Sequence, residues 1–141
     1  MPEEDFHENH YTDFMLRYLI RLADNGAEMD VTLNVSGTTI SGRLIGNVTY
    51  MEEVKRRLKS EDSALEEKME NFLDKMMHKF AKHTDADEYE TGYIHLRNAK
   101  IVDSKRVVPI RGNLWRGKAS DVNGFSFGSI EVKQEEQDRF K

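Results

Sequence analysis

The chain has 141 residues, enough for one ordinary domain and too few for two independently packed cores. Charged residues make up 33% and hydrophobic ones 38%, with a net charge of −5, so the chain can bury a single core while its overall field repels a phosphate backbone. It has no cysteine, which excludes disulfides, thiolate metal sites and thiol nucleophiles and fits a reducing compartment.

The opening residues Met1-Pro2-Glu3-Glu4-Asp5 are acidic and lack the basic-then-apolar order of a signal peptide, and no apolar run reaches the ~20 residues of a membrane span. The expected location is the cytoplasm. Residues 1–8 read as a charged, flexible lead. Thr12-Asp13 can cap a helix with Phe14, Met15, Tyr18, Leu19 and Leu22 at helical spacing, stopped by Asn25-Gly26. The period then changes to two. Met29, Val31, Leu33 and Val35 point to one side and Asp30, Thr32 and Asn34 to the other, Ser36-Gly37 turns the chain, and Thr38 to Ile45 returns with Ile40, Gly42 and Leu44 on one face.

From Thr49 the pattern becomes helical again, with Tyr50, Met51, Val54 and Leu58 among Glu52, Glu53, Lys55, Arg56 and Arg57. Residues 60–63 interrupt it. A longer helix follows, with Leu65, Met69, Phe72, Leu73, Met76 and Phe80 on one stripe. An acidic linker, 84–88, leads to a strand from Thr91 to Val102, a turn at 103–105, and a short edge strand at Val107, Val108 and Ile110, placed at an edge by Pro109. After a turn at 111–113, Leu114 to Asp121 and Phe125 to Val132 flank Val122-Asn123-Gly124, and the Asn-Gly pair predicts a second hairpin. Lys133 to Lys141 reads as a charged, solvated tail.

The expected fold is α+β: an N-terminal helix, then a small, strongly curved antiparallel sheet or open barrel, with a helical insertion at about 50–82. Residues 1–132 form one domain and 133–141 its tail. Gly42, Gly117 and Gly128 lie inside strand patterns and mark bends.

No chemistry-bearing constellation stands out. His7, His10, His78, His83 and His95 lack the spacing of a zinc or facial-triad site, so they read as surface or satisfied histidines. No serine sits in a Gly-x-Ser-x-Gly elbow, the glycines do not lie between a strand and a helix as a phosphate loop needs, and Asp85, Asp87 and Glu88 lack the calcium-loop glycine. No cofactor or metal is expected. Two groups remain. Trp115, beside Arg116 and near Arg111 and Lys118, could stack a base or clasp an acidic peptide, although alternation points Trp115 and Arg116 oppositely and favours Trp115 in the core. Met69, Met76 and Met77 with Phe72 and Phe80 could dock a partner helix or form a self-association seam, with core packing the plainer reading.

The blocks VTLNVSGTTISGRLI (31–45), YIHLRNAKI (93–101) and LWRGKASDVNGFSFG (114–128), in this order and separation, resemble the gas vesicle accessory protein family U over most of the chain from the first helix to Ile130. The resemblance implies a cytoplasmic, vesicle-associated protein that binds shell or accessory proteins and promotes vesicle clustering, with no catalytic step and no catalytic residues. The acidic mixture at Glu135, Glu136 and Asp138 departs from the more basic ends of that family. The element order is also similar, in architecture only, to a small Sm-type or SH3-type barrel, a kind of fold that pairs through strand edges; a homo-oligomer is therefore expected. The rival readings are an Sm-like nucleic-acid-binding module using Arg97, Asn98, Trp115 and Arg116, disfavoured by the net charge, and a small hydrolase in which His95 meets a carboxylate.

Overall fold

The computed structural model describes residues 12–59, 61–81, 92–104, 106–110 and 113–130. These form three α-helices, one 3-10 helix and six strands in the order α1 (Phe14–Asp24), β1 (Met29–Val35), β2 (Thr38–Ile45), α2 (Asn47–Arg57), α3 (Ser63–Ala81), β3 (Tyr93–Asp103), β4 (Arg106–Pro109), β5 (Leu114–Lys118), the 3-10 turn (Ala119–Asp121) and β6 (Val122–Phe127). The lead at 1–8, the linker at 84–88 and the tail at 133–141 lie outside the described residues.

All strand pairs are antiparallel, in the order β4-β3-β2-β1-β6, with β5 also on β3. Residues 95–97 of β3 pair with β2 and β5 at once, and residues 100–102 with β2 and β4. β4 and β5 therefore lie end to end along the outer side of β3. From β5 to β6 a flat sheet would span four strand spacings, about 19 Å. The chain covers that interval with a 3-10 turn of three residues, a rise of about 6 Å. The sheet must curl strongly to bring its two sides this close, yet β5 and β6 do not pair, so it is not a closed barrel.

This crossing corrects one expectation. Residues 114–132 do not form a hairpin at Asn123-Gly124: β5 pairs with β3, β6 pairs with β1, and both residues lie inside β6. Tertiary contacts override the local turn preference. Gly124 sits opposite Asn34 without a positive φ, and the Asn123 side chain accepts the Ser36 N–H at 2.8 Å, closing the β1–β2 turn from outside. That turn needs positive φ at both central residues, and Ser36 and Gly37 supply +50° and +89°.

The core forms where α1 lies on one face of the sheet. Leu16, Leu19, Ile20 and Ala23 pack with Val31, Leu33, Ile40, Leu44, Ile94, Leu96 and Ala99, and the crossing adds Ala119 and Val122. The Asp13 carboxylate caps α1 by accepting the N–H groups of Met15 and Leu16 at 2.7 and 3.2 Å. Of the helical stripe expected here, Leu19 is buried, whereas Phe14, Met15 and Tyr18 are exposed. The apolar arc of this helix is wide, with Arg17, Arg21 and Asp24 sharing the remaining arc, so period alone does not fix which part of it meets the sheet.

Candidate functional site

The face of the sheet opposite α1 is polar along Asp30, Thr32, Ser41, Arg43 and Arg97, with buried Ile45 beside His95 at its α2 end. Register puts Asp30 beside Arg43, Thr32 beside Ser41, and Arg43 beside Arg97. Glu28 bridges the two arginines, bonding Arg43 at 3.2 Å and also Arg97, while Asp30 takes the other arm of Arg43 at 3.2 Å. Between Arg43 and Ser41 the register slips at Gly42, opposite Asn98, whose φ is +55°. A Cβ at Gly42 would sit 3.0 Å from the Arg97 carbonyl and 3.2 Å from the Ala99 Cα, so a larger residue at this bulge has to push the β3 backbone aside by a few tenths of an ångström. Arg97 is thus engaged by Glu28, and Asn98 projects into solvent at the bulge.

Trp115 stands beside Leu96 on the core face, half-buried, with its indole laid over Gly117; a Cβ there would lie 2.6 Å from Cζ2. Arg116 points to the polar face, beside His95. Its Nε donates to His95 Nε2 at 3.2 Å, and its guanidinium lies 4.1 Å from the centre of the Tyr93 ring. Trp115 and Arg116 therefore do not share a surface. His95 is almost wholly buried, with the Tyr50 ring of α2 at 4.6 Å, and burial together with the Arg116 charge lowers its pKa to about 3. It is a neutral acceptor at physiological pH, and among the described residues no carboxylate is bonded to it in the manner a hydrolytic dyad needs.

The far end of the polar face is closed by the chain itself. Gly128, at φ +97°, turns the strand end inward; Thr32 Oγ1 donates to the Gly128 carbonyl at 2.8 Å, and buried Ser41 Oγ accepts the Ile130 N–H at 2.7 Å and meets Ser129 Oγ at 3.1 Å. Sequence reasoning missed this anchor, because a serine in a strand carries no signal of a partner 88 residues away.

The helical insertion is bound more sparsely. α2 docks at its N-terminus, where Gly46 abuts the end of α1; a Cβ there would approach the Ala23 carbonyl and lie 2.9 Å from the Asp24 Cα. The Asp24 carboxylate accepts the Asn47 N–H at 2.9 Å, and burial raises its pKa against the lowering effect of that bond. α3 packs on α2 through Leu73 and the Lys55–Asp74 ion pair at 2.6 Å. Of the apolar stripe, only Leu73 is buried: Leu65 and Phe72 are 52% and 54% exposed, and Met69, Met76 and Phe80 are half-buried. The seam residues Met69, Phe72, Met76 and Phe80 thus lie outside the core. An open groove between the two helices is lined by Glu52, Lys55, Arg56, Glu70 and Met77, charges of both signs with no serine, threonine or histidine among them.

Among the described residues no cluster of His, Asp or Glu has the form of a metal site, and His7, His10, His83, Asp85, Asp87 and Glu88 lie outside them. No described helix is long and apolar enough to cross a membrane. The comparison with curated proteins finds no match, and neither does that with solved structures. Residues 13–130 match the family model described as gas vesicle protein GvpU-like, which spans α1, the whole sheet and the helical insertion. The chain belongs to this GvpU-like family, and membership implies a gas vesicle accessory protein.

Proposed function

We propose that this chain is a non-enzymatic accessory protein that binds gas vesicle shell or accessory proteins and promotes vesicle assembly or clustering by self-association. Clustering needs at least two contacts per molecule, one toward the vesicle and one toward another copy, because linked weak contacts gain avidity from effective concentration. The observation that carries the reading is the apolar stripe of α3, which its own fold leaves largely uncovered around Phe72. The sheet edges supply the second kind of surface. Purified protein mixed with gas vesicles at physiological salt is expected to co-float with them and to sediment above monomer mass when alone. A strict monomer that ignores vesicles overturns the proposal, and binding to single-stranded RNA that weakens steeply with salt favours the nucleic-acid reading instead.

A further inference from the structure

The two sides of the sheet are not equally protected. Along the outer side of β3, strands β4 and β5 carry Arg106, Pro109, Arg116 and Lys118, the cations and proline that discourage strand addition. β6, Val-Asn-Gly-Phe-Ser-Phe, has no charge and no proline. Gly128 N–H donates to the Asp30 carbonyl at 2.8 Å, which makes Gly128–Asp30 a hydrogen-bonded pair and, by alternation, Ser126–Thr32 and Gly124–Asn34 as well. The N–H and C=O groups of Phe125 and Phe127 therefore point away from β1. Residues 128–130 do not run along this edge, since they turn back over the polar face to Ser41.

We propose that the outer edge of β6 pairs antiparallel with the same edge of a second copy, about a two-fold axis at Ser126. This rests on the self-association reading and assigns its surface. Outward-pointing groups must meet outward-pointing groups, and that register places Phe125 of each copy opposite Phe127 of the other, with Ser126 facing Ser126 as a non-hydrogen-bonded pair. A second copy fits for two reasons. Two chains of net charge −5 can approach along a neutral strand without like charges meeting. Phe127, 65% exposed and in edge contact with core-packed Phe125 at 6.1 Å, gains a partner aromatic ring in this register. An isologous pair also uses up both β6 edges and leaves each outer β4/β5 side guarded.

The test exploits the absence of native cysteine. Ser126→Cys is expected to cross-link to a covalent dimer on mild oxidation, and Ser104→Cys, in the β3–β4 turn, to remain monomeric on the same gel. Phe127→Lys and Phe127→Pro, which add a charge or remove one outward N–H, are expected to weaken self-association in sedimentation equilibrium at least about tenfold with an unchanged thermal melt, whereas Val108→Lys on β4 leaves it unaltered. Self-association that survives both Phe127 variants without a Ser126→Cys cross-link overturns the edge assignment while leaving the function standing. A wild-type monomer at all concentrations overturns both.

Discussion

The α1–sheet unit and the α2–α3 pair are held in different ways. The first buries thirteen residues in one continuous cluster drawn from α1, the strands and the β5–β6 crossing. The second meets the rest of the chain at Gly46, Asn47, Tyr50 and Met51, and α3 buries Leu73 alone. Stability resides in the sheet, and adaptable apolar surface lies on the insertion. That division lets a small protein expose Leu65 and Phe72 without risking its fold, because a helix that opens locally does not open the sheet.

The contrast can be broken most directly at the centre of the sheet. Leu33, fully buried in β1, is expected to cost about 4 kcal/mol as Leu33→Ala, read as a lowered urea midpoint for the whole molecule. Gly46→Ala forces a methyl into the end of α1 and is expected to cost about 2 kcal/mol; a variant as stable as wild type would mean that the two units are not in firm contact there. His95 joins β3 to α2, and its lowered pKa gives a third test. The unfolded chain binds this proton near pH 6.5 and the folded chain only near pH 3, so its share of stability is intact above 6.5 and falls as pH drops toward 3, at up to about 1.4 kcal/mol per pH unit. His95→Gln is expected to flatten that part of the pH–stability curve, and an unchanged slope would show that other groups set it. Leu73→Ala is expected to leave the unfolding midpoint reported by Trp115 fluorescence unmoved while amides of α3 lose exchange protection; a shift in both would make the insertion part of the cooperative unit. Smallest of all, Asp24→Asn retains an acceptor for the Asn47 N–H and is expected to change stability by less than about 1 kcal/mol, with Asp24→Ala costing more.

Much of this architecture was legible because local pattern and tertiary demand agree. Alternation from Met29 to Val35, the Ser36-Gly37 turn and the return to Ile45 are all present as read, as are the break between α2 and α3 and the edge position of Pro109. The β5–β6 region departs from its local signal, because Asn123-Gly124 carries a strong turn preference and only the partner strand β1, far away in sequence, decides otherwise. The stripe on α3 is apolar as its spacing predicts, but period does not say whether an apolar arc is covered. The proposed binding residues share the same limit: spacing placed Trp115 and Arg116 on opposite faces, while the engagement of Arg97 by Glu28 and of Arg116 by Tyr93 depends on register.

The pairing of β6 with β1 has a consequence for synthesis. Thr32 and Gly128, which bond across that junction, are 96 residues apart, so one side of β1 stays bare until nearly the whole described chain has left the ribosome. During that interval a nascent chain presents Val31 and Leu33 with unsatisfied backbone beside them. Arrival of β6 closes this sticky intermediate and, in the same event, creates the neutral edge assigned to the second copy. Under the proposed edge pairing, dimerisation follows folding, and a chain truncated before Val122 lacks the specific contact and keeps only the promiscuous one.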